Sequence, residues 1–301
     1  MKPNLRQLFF EHVGQTSDFP MGLEVERAEG VWLLGPNGKK WIDLISGVSV
    51  SNVGHNNPAV VEAVCSQARD YLHLMVYGEV IQSPQVRYAA RIAELLPPRL
   101  QSVYFVNSGS EAVEGALKLA KRYTGRTGTL YYFQQAGVTP DILCTAKSFG
   151  GGMPLGAFIS SDGIMSTLKT NPVLGHITTF GGHPVCCAAG LAALEYLLGE
   201  GLMQQADAKG ARYEQAMRAH PAVKEVRRAG LLMAVEFGDA ALCERVVQRA
   251  VETGLLTEWF LFWPTALRIA PPLTITDDEI DASCRILLDA IDHAVARAGG
   301  R

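Results

Sequence analysis

The stretch "SVYFVNSGSEAVEGALKLAKRYTG", residues 102 to 125, constrains the fold more than any other part of this chain. Five strand-like residues run into a turn of small residues, and a long helical pattern follows at once. Ser108-x-x-Glu111 reads as a capping box at the start of that helix, and Gly125 as its stop. A strand feeding directly into a helix is the unit from which α/β domains are built.

The same grammar recurs along the chain. Residues 30 to 45 predict two short strands around a Pro-Asn-Gly turn. Asn57 and Pro58 open a helix whose apolar stripe reads Val61, Val64, Ala68 and Leu72. A second helix starts at Ser83-Pro84 and ends before Pro97. "DILCTAK" and "GAFIS" read as compact apolar strands. Helices then follow over 184–198, roughly 203–218 and 239–253, and a last one opens with its own box, Thr276-x-x-Glu279. The expected organisation is an N-terminal segment, 1–48, that packs with a small C-terminal α+β domain, 200–301, and a large α/β domain, 49–199.

Bulk properties exclude several partners. The 301 residues are 48% hydrophobic and 19% charged, which suits a core-forming globular chain. The formal net charge is −3 and the charges are interleaved, so nothing marks a nucleic-acid face. The longest apolar run, "VCCAAGLAAL", stops at Glu195, short of a membrane span. "MKPNLRQLFFEHVGQ" lacks the apolar core of a signal peptide. Six cysteines without a C-x-x-C pair predict reduced thiols, a cytoplasmic location and no zinc site.

Lys147, in "ILCTAKSFGGGMPLGAFIS", stands between two apolar strands and before three glycines. A lysine there is exposed, paired or chemically employed, because a lone buried ammonium is costly. The glycines match neither G-x-x-x-x-G-K-[ST] nor G-x-G-x-x-G, so they read as a tight turn beside something bulky bound near Lys147. The Asn107-Ser108-Gly109-Ser110 turn is either an anion site at a helix N-terminus or a plain cap. "HITTFGGHPVCC" supplies Thr178 and Thr179 before a helix, and His176 and His183 there suit turn and packing roles. Arg268 in "ALRIAPPLTIT" is either a structural ion pair or a fork aimed at a carboxylate.

Taken in order, five stretches carry a resemblance. They are "GVWLLGPNGKKWIDLISGVSVSNVGHNNPAVVEAV", "NSGSEAVEGALKLAK", "GVTPDILCTAKSFGGGMPLGAF", "TTFGGHPVCCAAGLAAL" and "LRIAPPLTIT". Together they resemble the class III (ornithine/4-aminobutyrate type) aminotransferases, which depend on pyridoxal 5′-phosphate. The resemblance covers nearly the whole chain. It implies a fold-type I architecture with a mostly parallel central sheet and a smaller α+β C-terminal domain. It implies that Lys147 is the Schiff-base lysine and that Ser108, Gly109 and Ser110 hold the cofactor phosphate. It implies further that Thr179 reaches the phosphate of a neighbouring subunit in a homodimer, and that Arg268 binds the carboxylate of an amino acid or 2-oxo acid. A partly desolvated lysine of this kind can attack the cofactor aldehyde and shuttle a proton, giving ping-pong amino transfer.

One departure is large. The family carries about a domain's worth of chain between the phosphate-cup helix and the lysine strand. That part holds the aromatic-His-Gly motif, the Glu-Pro strand and the D-E-x-Q-T-G-F strand whose Asp pairs with the pyridine nitrogen. Here "KLAKRYTGRT" runs directly into "GTLYYFQQAGVTPDI", and one Gly-Arg-Thr, at residues 125 to 127, stands where the family has two. The expectation is an internal deletion joining the two copies, which resequencing across codons 120 to 135 would test. Loss of the pyridine carboxylate, the stacking ring and several strands predicts a chain that is poorly stable or inactive. The competing readings are a degenerate dimeric scaffold and another fold-type I activity.

Overall fold

The computed structural model describes residues 4–14, 20–76, 80–124, 140–169, 176 and 178–298. Helix α1 (Leu5–His12) opens the chain, followed by β1 (Arg27–Glu29), β2 (Trp32–Leu34) and β3 (Lys40–Asp43). A one-turn α2 (Ser46–Ser49) precedes the longer α3 (Pro58–Asp70) and α4 (Ser83–Leu95). Then come β4 (Ser102–Val106), α5 (Gly109–Thr124), β5 (Ile142–Thr145), β6 (Gly156–Ser160) and the short α6 (Asp162–Met165). Helices α7 (Pro184–Gly199) and α8 (Leu202–Arg218) lead to β7 (Glu225–Ala229), β8 (Leu232–Glu236) and α9 (Ala240–Glu252). Strands β9 (Leu255–Leu256), β10 (Glu258–Phe260) and β11 (Trp263–Ile269) precede the closing α10 (Asp277–Ala298). The fold divides into two units: one takes 1–45, 209–271 and 275–301, the other 46–208 and 272–274.

Local chemistry sets the element ends. Asn57 caps α3 by accepting from the N–H groups of Ala59 and Val60, with Pro58 at the first helical position. The Thr276–Glu279 box closes in both directions: Thr276 N–H donates to Glu279 at 2.9 Å, and Glu279 N–H donates to Thr276 Oγ1 at 3.3 Å. The stripe expected on α3 is misphased. Val60 and Gln67 are buried and Val64 packs beside Val60 and Ala189, while Val61 and Leu72 face solvent. The face that meets α7 decides the phase.

The first unit contains two sheets. In β1-β2-β3-β9 the first pairs are antiparallel, and β3 with β9 is parallel. The sheet β10-β11-β8-β7 is antiparallel throughout, and Val226, Met233, Val235, Leu267 and Ile269 bury its core.

In the second unit the sheet order is β4-β6-β5. Among the described residues this sheet departs from the expectation of a mostly parallel one. β6 runs antiparallel to both neighbours, so β4 and β5 are parallel to each other without pairing. β6 is sandwiched: Ala157 and Ile159 face the cluster of Tyr88, Phe105 and Cys187, and Phe158 faces that of Ala112, Ala116 and Leu119. Gly115 makes that second contact possible, because a Cβ there would lie 2.7 Å from Cδ1 of Phe158. By contrast every residue of β5 is only half-buried, and among the described residues it pairs with β6 alone. The join at Arg126 and Thr127, and the expected helix stop at Gly125, lie outside the described residues.

Candidate active site

Three chain segments converge at the end of the β4-β6-β5 sheet. The register ends at Val106 opposite Gly156 on one side and Thr145 opposite Ala157 on the other. Gly156 sits where a Cβ would come within 2.5 Å of the Ser108 carbonyl and 3.2 Å of the Thr145 carbonyl. Only glycine lets the two connections approach this closely. A Cβ at Gly109 would lie 3.3 Å from the Ala146 Cβ, so the turn into α5 and the turn carrying Lys147 are neighbours.

The turn into α5 is a cap and a donor set at once. Ser108 Oγ accepts from Glu111 N–H at 3.2 Å, as the capping box predicts. Glu111 does not return to Ser108. Its carboxylate accepts from the Asn107 N–H at 2.6 Å and from the Asn107 amide at 3.3 Å. Gly109 and Ser110 occupy the first turn of the helix, where backbone N–H groups lack intrahelical acceptors, and Ser108 and Ser110 are exposed.

Lys147 is not on the strand. β5 ends at Thr145, and Lys147 opens a short 3-10 turn, Lys147–Gly150, with φ at +60°. A non-glycine residue in the left-handed region is strained by roughly 1–2 kcal/mol, the kind of strain that persists at functional turns. The lysine side chain is exposed in the single chain. Among the described residues β5 has a strand on one side, β6. Of the glycines that follow, Gly151 has a cause within the chain. A Cβ at Gly151 would meet the Ala189 carbonyl at 2.5 Å and the Ala193 Cβ at 2.9 Å. It is the chain's own α7 that demands glycine there. Gly152, at φ +98°, has open space around it.

Thr179 lies exposed in the turn before α7. That turn is pressed against β4, since a Cβ at Gly181 would lie 2.7 Å from the Phe105 carbonyl. His183 stacks on His73 at 5.4 Å, and burial, then His73, holds its imidazole below the usual histidine range. His176 packs its ring against Tyr104 and Phe158. Among the described residues no group of three or more His, Cys, Asp or Glu is arranged to hold a metal.

The structure therefore brings Ser108, Gly109, Ser110 and Lys147 to one sheet end and places Thr179 in a turn against β4. Arg268 belongs to the other unit, on β11. There its Nη1 donates to Glu258 at 2.7 Å, and its guanidinium lies 4.6 Å from the centre of the Phe260 ring. The sequence reading missed Glu258 and Phe260. The signal was available in the even spacing of both along "TEWF", which puts them on one face of a strand.

These groups suit the phosphate and aldehyde ends of a pyridoxal phosphate molecule: first-turn N–H donors, two hydroxyls and a primary amine within one neighbourhood. The ring end is not matched, because the sequence contains neither D-E-x-Q-T-G-F, nor a Glu-Pro pair, nor a His-Gly pair.

Comparison with known proteins agrees. A family model described as aminotransferase class-III matches residues 13–124 and 123–291. The two matched stretches meet beside the join at Gly125 to Thr127. Among solved structures, the acetylornithine aminotransferase from Elizabethkingia anophelis superposes with a TM-score of 0.84 at 24% identity, covering 96% of this chain and 98% of that one. The ornithine aminotransferase from Toxoplasma gondii ME49 gives 0.85 at 21% identity, covering 98% and 97%. A thermostable (S)-enantioselective omega-transaminase from Thermomicrobium roseum gives 0.82 at 23%, covering 99% of both. The fold is that of the fold-type I pyridoxal-phosphate enzymes. This chain belongs to the class-III aminotransferases, a family whose cofactor is pyridoxal 5′-phosphate.

Proposed function

We propose that this chain binds pyridoxal 5′-phosphate through Lys147 and moves an amino group between an amino acid and a 2-oxo acid in two half-reactions. The observation that carries this reading is the approach of Gly109 to Ala146, which sets phosphate donors beside the lysine. When bound, the cofactor supplies an electron-accepting ring that keeps the amino group between half-reactions. The first-turn N–H groups of α5 and the Ser110 hydroxyl hold the phosphate. The Lys147 amine acts first as nucleophile and then as the base that takes and returns the Cα proton. Arg268 orients the substrate carboxylate.

The same reading makes the working unit a homodimer, with Thr179 turned to the partner's phosphate. The exposure of Thr179 and Phe180, and of Leu72, Leu74, Met75 and Ile81 in the same unit, supports it. A cytoplasmic setting is supported by six cysteines that are all unpaired.

A second reading, a cofactor-binding scaffold without useful turnover, is favoured by the half-buried β5 and the absent pyridine carboxylate. Reconstitution decides between them. The purified chain is mixed with pyridoxal phosphate, treated with borohydride and digested. Cofactor mass on the Lys147 peptide supports the proposal, and its absence rejects it. Amino transfer measured alongside is expected far below family rates; a family-like rate would remove the scaffold reading.

A further inference from the structure

A pocket of about 310 Å³ lies within the second unit and has no part in the amino-transfer reading. Three apolar stripes bound it. On the sheet, Leu143 of β5 lies opposite Ile159 of β6, so their side chains leave the same face. On α4, Tyr88 and Ile92 stand one turn apart, and on α7 Leu194 and Leu197 do so too. These walls cannot close on one another. At Gly190 a Cβ would lie 2.6 Å from both the Tyr88 ring and the Phe149 carbonyl, so α7 already touches the ring there. The Tyr88 hydroxyl donates to that same carbonyl at 2.5 Å and fixes the ring. The packing of the described residues therefore leaves the space open.

The lining chemistry selects the occupant. Among the described residues no Asp, Glu, Lys, Arg or His lines the pocket. A charged molecule would lose its hydration there without gaining a partner, so the site suits an uncharged one. Its polar lining is neutral: Asn52, Thr145 and Ser148, with the Tyr88 hydroxyl already spent on Phe149. Burial, then Cys187, pushes the Tyr88 phenol above its usual range and keeps it uncharged. The volume is double the ~150 Å³ that admits one benzene ring, which sets the occupant at two fused rings. Tyr88 and Phe149, with ring centres 4.9 Å apart, offer it aromatic contacts. We propose that this pocket is a binding site for a neutral bicyclic aromatic molecule carrying at most a hydroxyl group. Ser148 and Phe149 also belong to the turn that opens at Lys147, so the site adjoins that turn without including the lysine.

The test titrates the full chain by calorimetry at neutral pH with 2-naphthol and with 2-naphthoate, which share a ring system and differ in charge. Wild type is expected to bind 2-naphthol saturably, one molecule per chain, and at least about tenfold tighter than 2-naphthoate, because the carboxylate finds no cation. Leu194→Trp and Leu197→Trp fill the space from α7, and each is expected to weaken 2-naphthol at least about tenfold while the circular dichroism is kept. Leu232→Trp, at an exposed position of the other unit, is expected to change nothing. Absent saturation, several molecules per chain, or equal affinity for the two ligands overturns the proposal before any variant is made. So does unchanged affinity in either filling variant that stays folded, or loss of binding in Leu232→Trp. Where neither filling variant folds, methyl resonances of wild type decide. Shifts at Ile92, Leu143 and Ile159 on adding 2-naphthol support the site, and shifts confined to other methyls reject it.

Discussion

Two sheets of this molecule make an instructive pair. In β10-β11-β8-β7 the inner strands have neighbours on both sides, and their inward residues are almost wholly buried. In β4-β6-β5 the middle strand is buried at all five positions, while β5 is half-buried at all four. Both β5 and β6 are short apolar runs of similar composition. What separates them is company: β6 has a strand on each side and a helix layer on each face, and among the described residues β5 has a strand on one side alone. A strand with one described neighbour keeps its conformation with less cover than one held on both sides.

The contrast predicts unequal costs for similar changes. Ile159→Ala on β6 is expected to destabilise by about 3–4 kcal/mol, and Leu143→Ala on β5 by less than half of that, because a half-exposed residue loses less transfer energy. Urea unfolding followed by circular dichroism measures both, and equal losses would show that β5 is covered after all. Next in size is the turn between the two strands. Lys147→Gly is expected to raise stability by roughly 1 kcal/mol by relieving the left-handed residue, where Lys147→Ala gives no such gain. Thermal melts of the two variants decide it.

The intact sheet has its own signature. Glu236 on β8 is buried, which favours its protonated form. Hydrogen bonds from Thr265, Trp263 and the Gly238 N–H, with the Arg227 charge, outweigh that and hold it below the usual carboxylate range. A depressed folded value means that its stabilisation is complete above the unfolded value, about 4.3, and fades as pH falls through the folded one. Urea midpoints from pH 6 to pH 2.5 should therefore lose this contribution in wild type, and the Glu236→Gln variant should show a flatter acid limb. Smallest are the caps. Thr276→Ala, in the closed box, is expected to cost about 1 kcal/mol, and Ser108→Ala somewhat less, because Glu111 already turns to Asn107. Melting temperatures of the pair check the order.

Much of the site was legible from the sequence because its signals are local. Asn57, Thr276 and Ser108 announced their helices, and the order of the five stretches pointed to the family before any distance was known. The rest depends on what lies across space. The phase of α3 follows from α7, and the glycine at 151 answers to Ala189 and Ala193. Lys147 reads as a strand lysine until the backbone shows it one turn further on.

By itself the sequence determined the elements, their caps and the missing carboxylate strand, because these are written in neighbouring residues. Only the tertiary structure decided that Gly109 and Ala146 meet, that β6 runs against both its neighbours, and that Arg268 is already paired. Those facts depend on register and on strand partners, which bring together residues far apart in the chain and which no local pattern encodes.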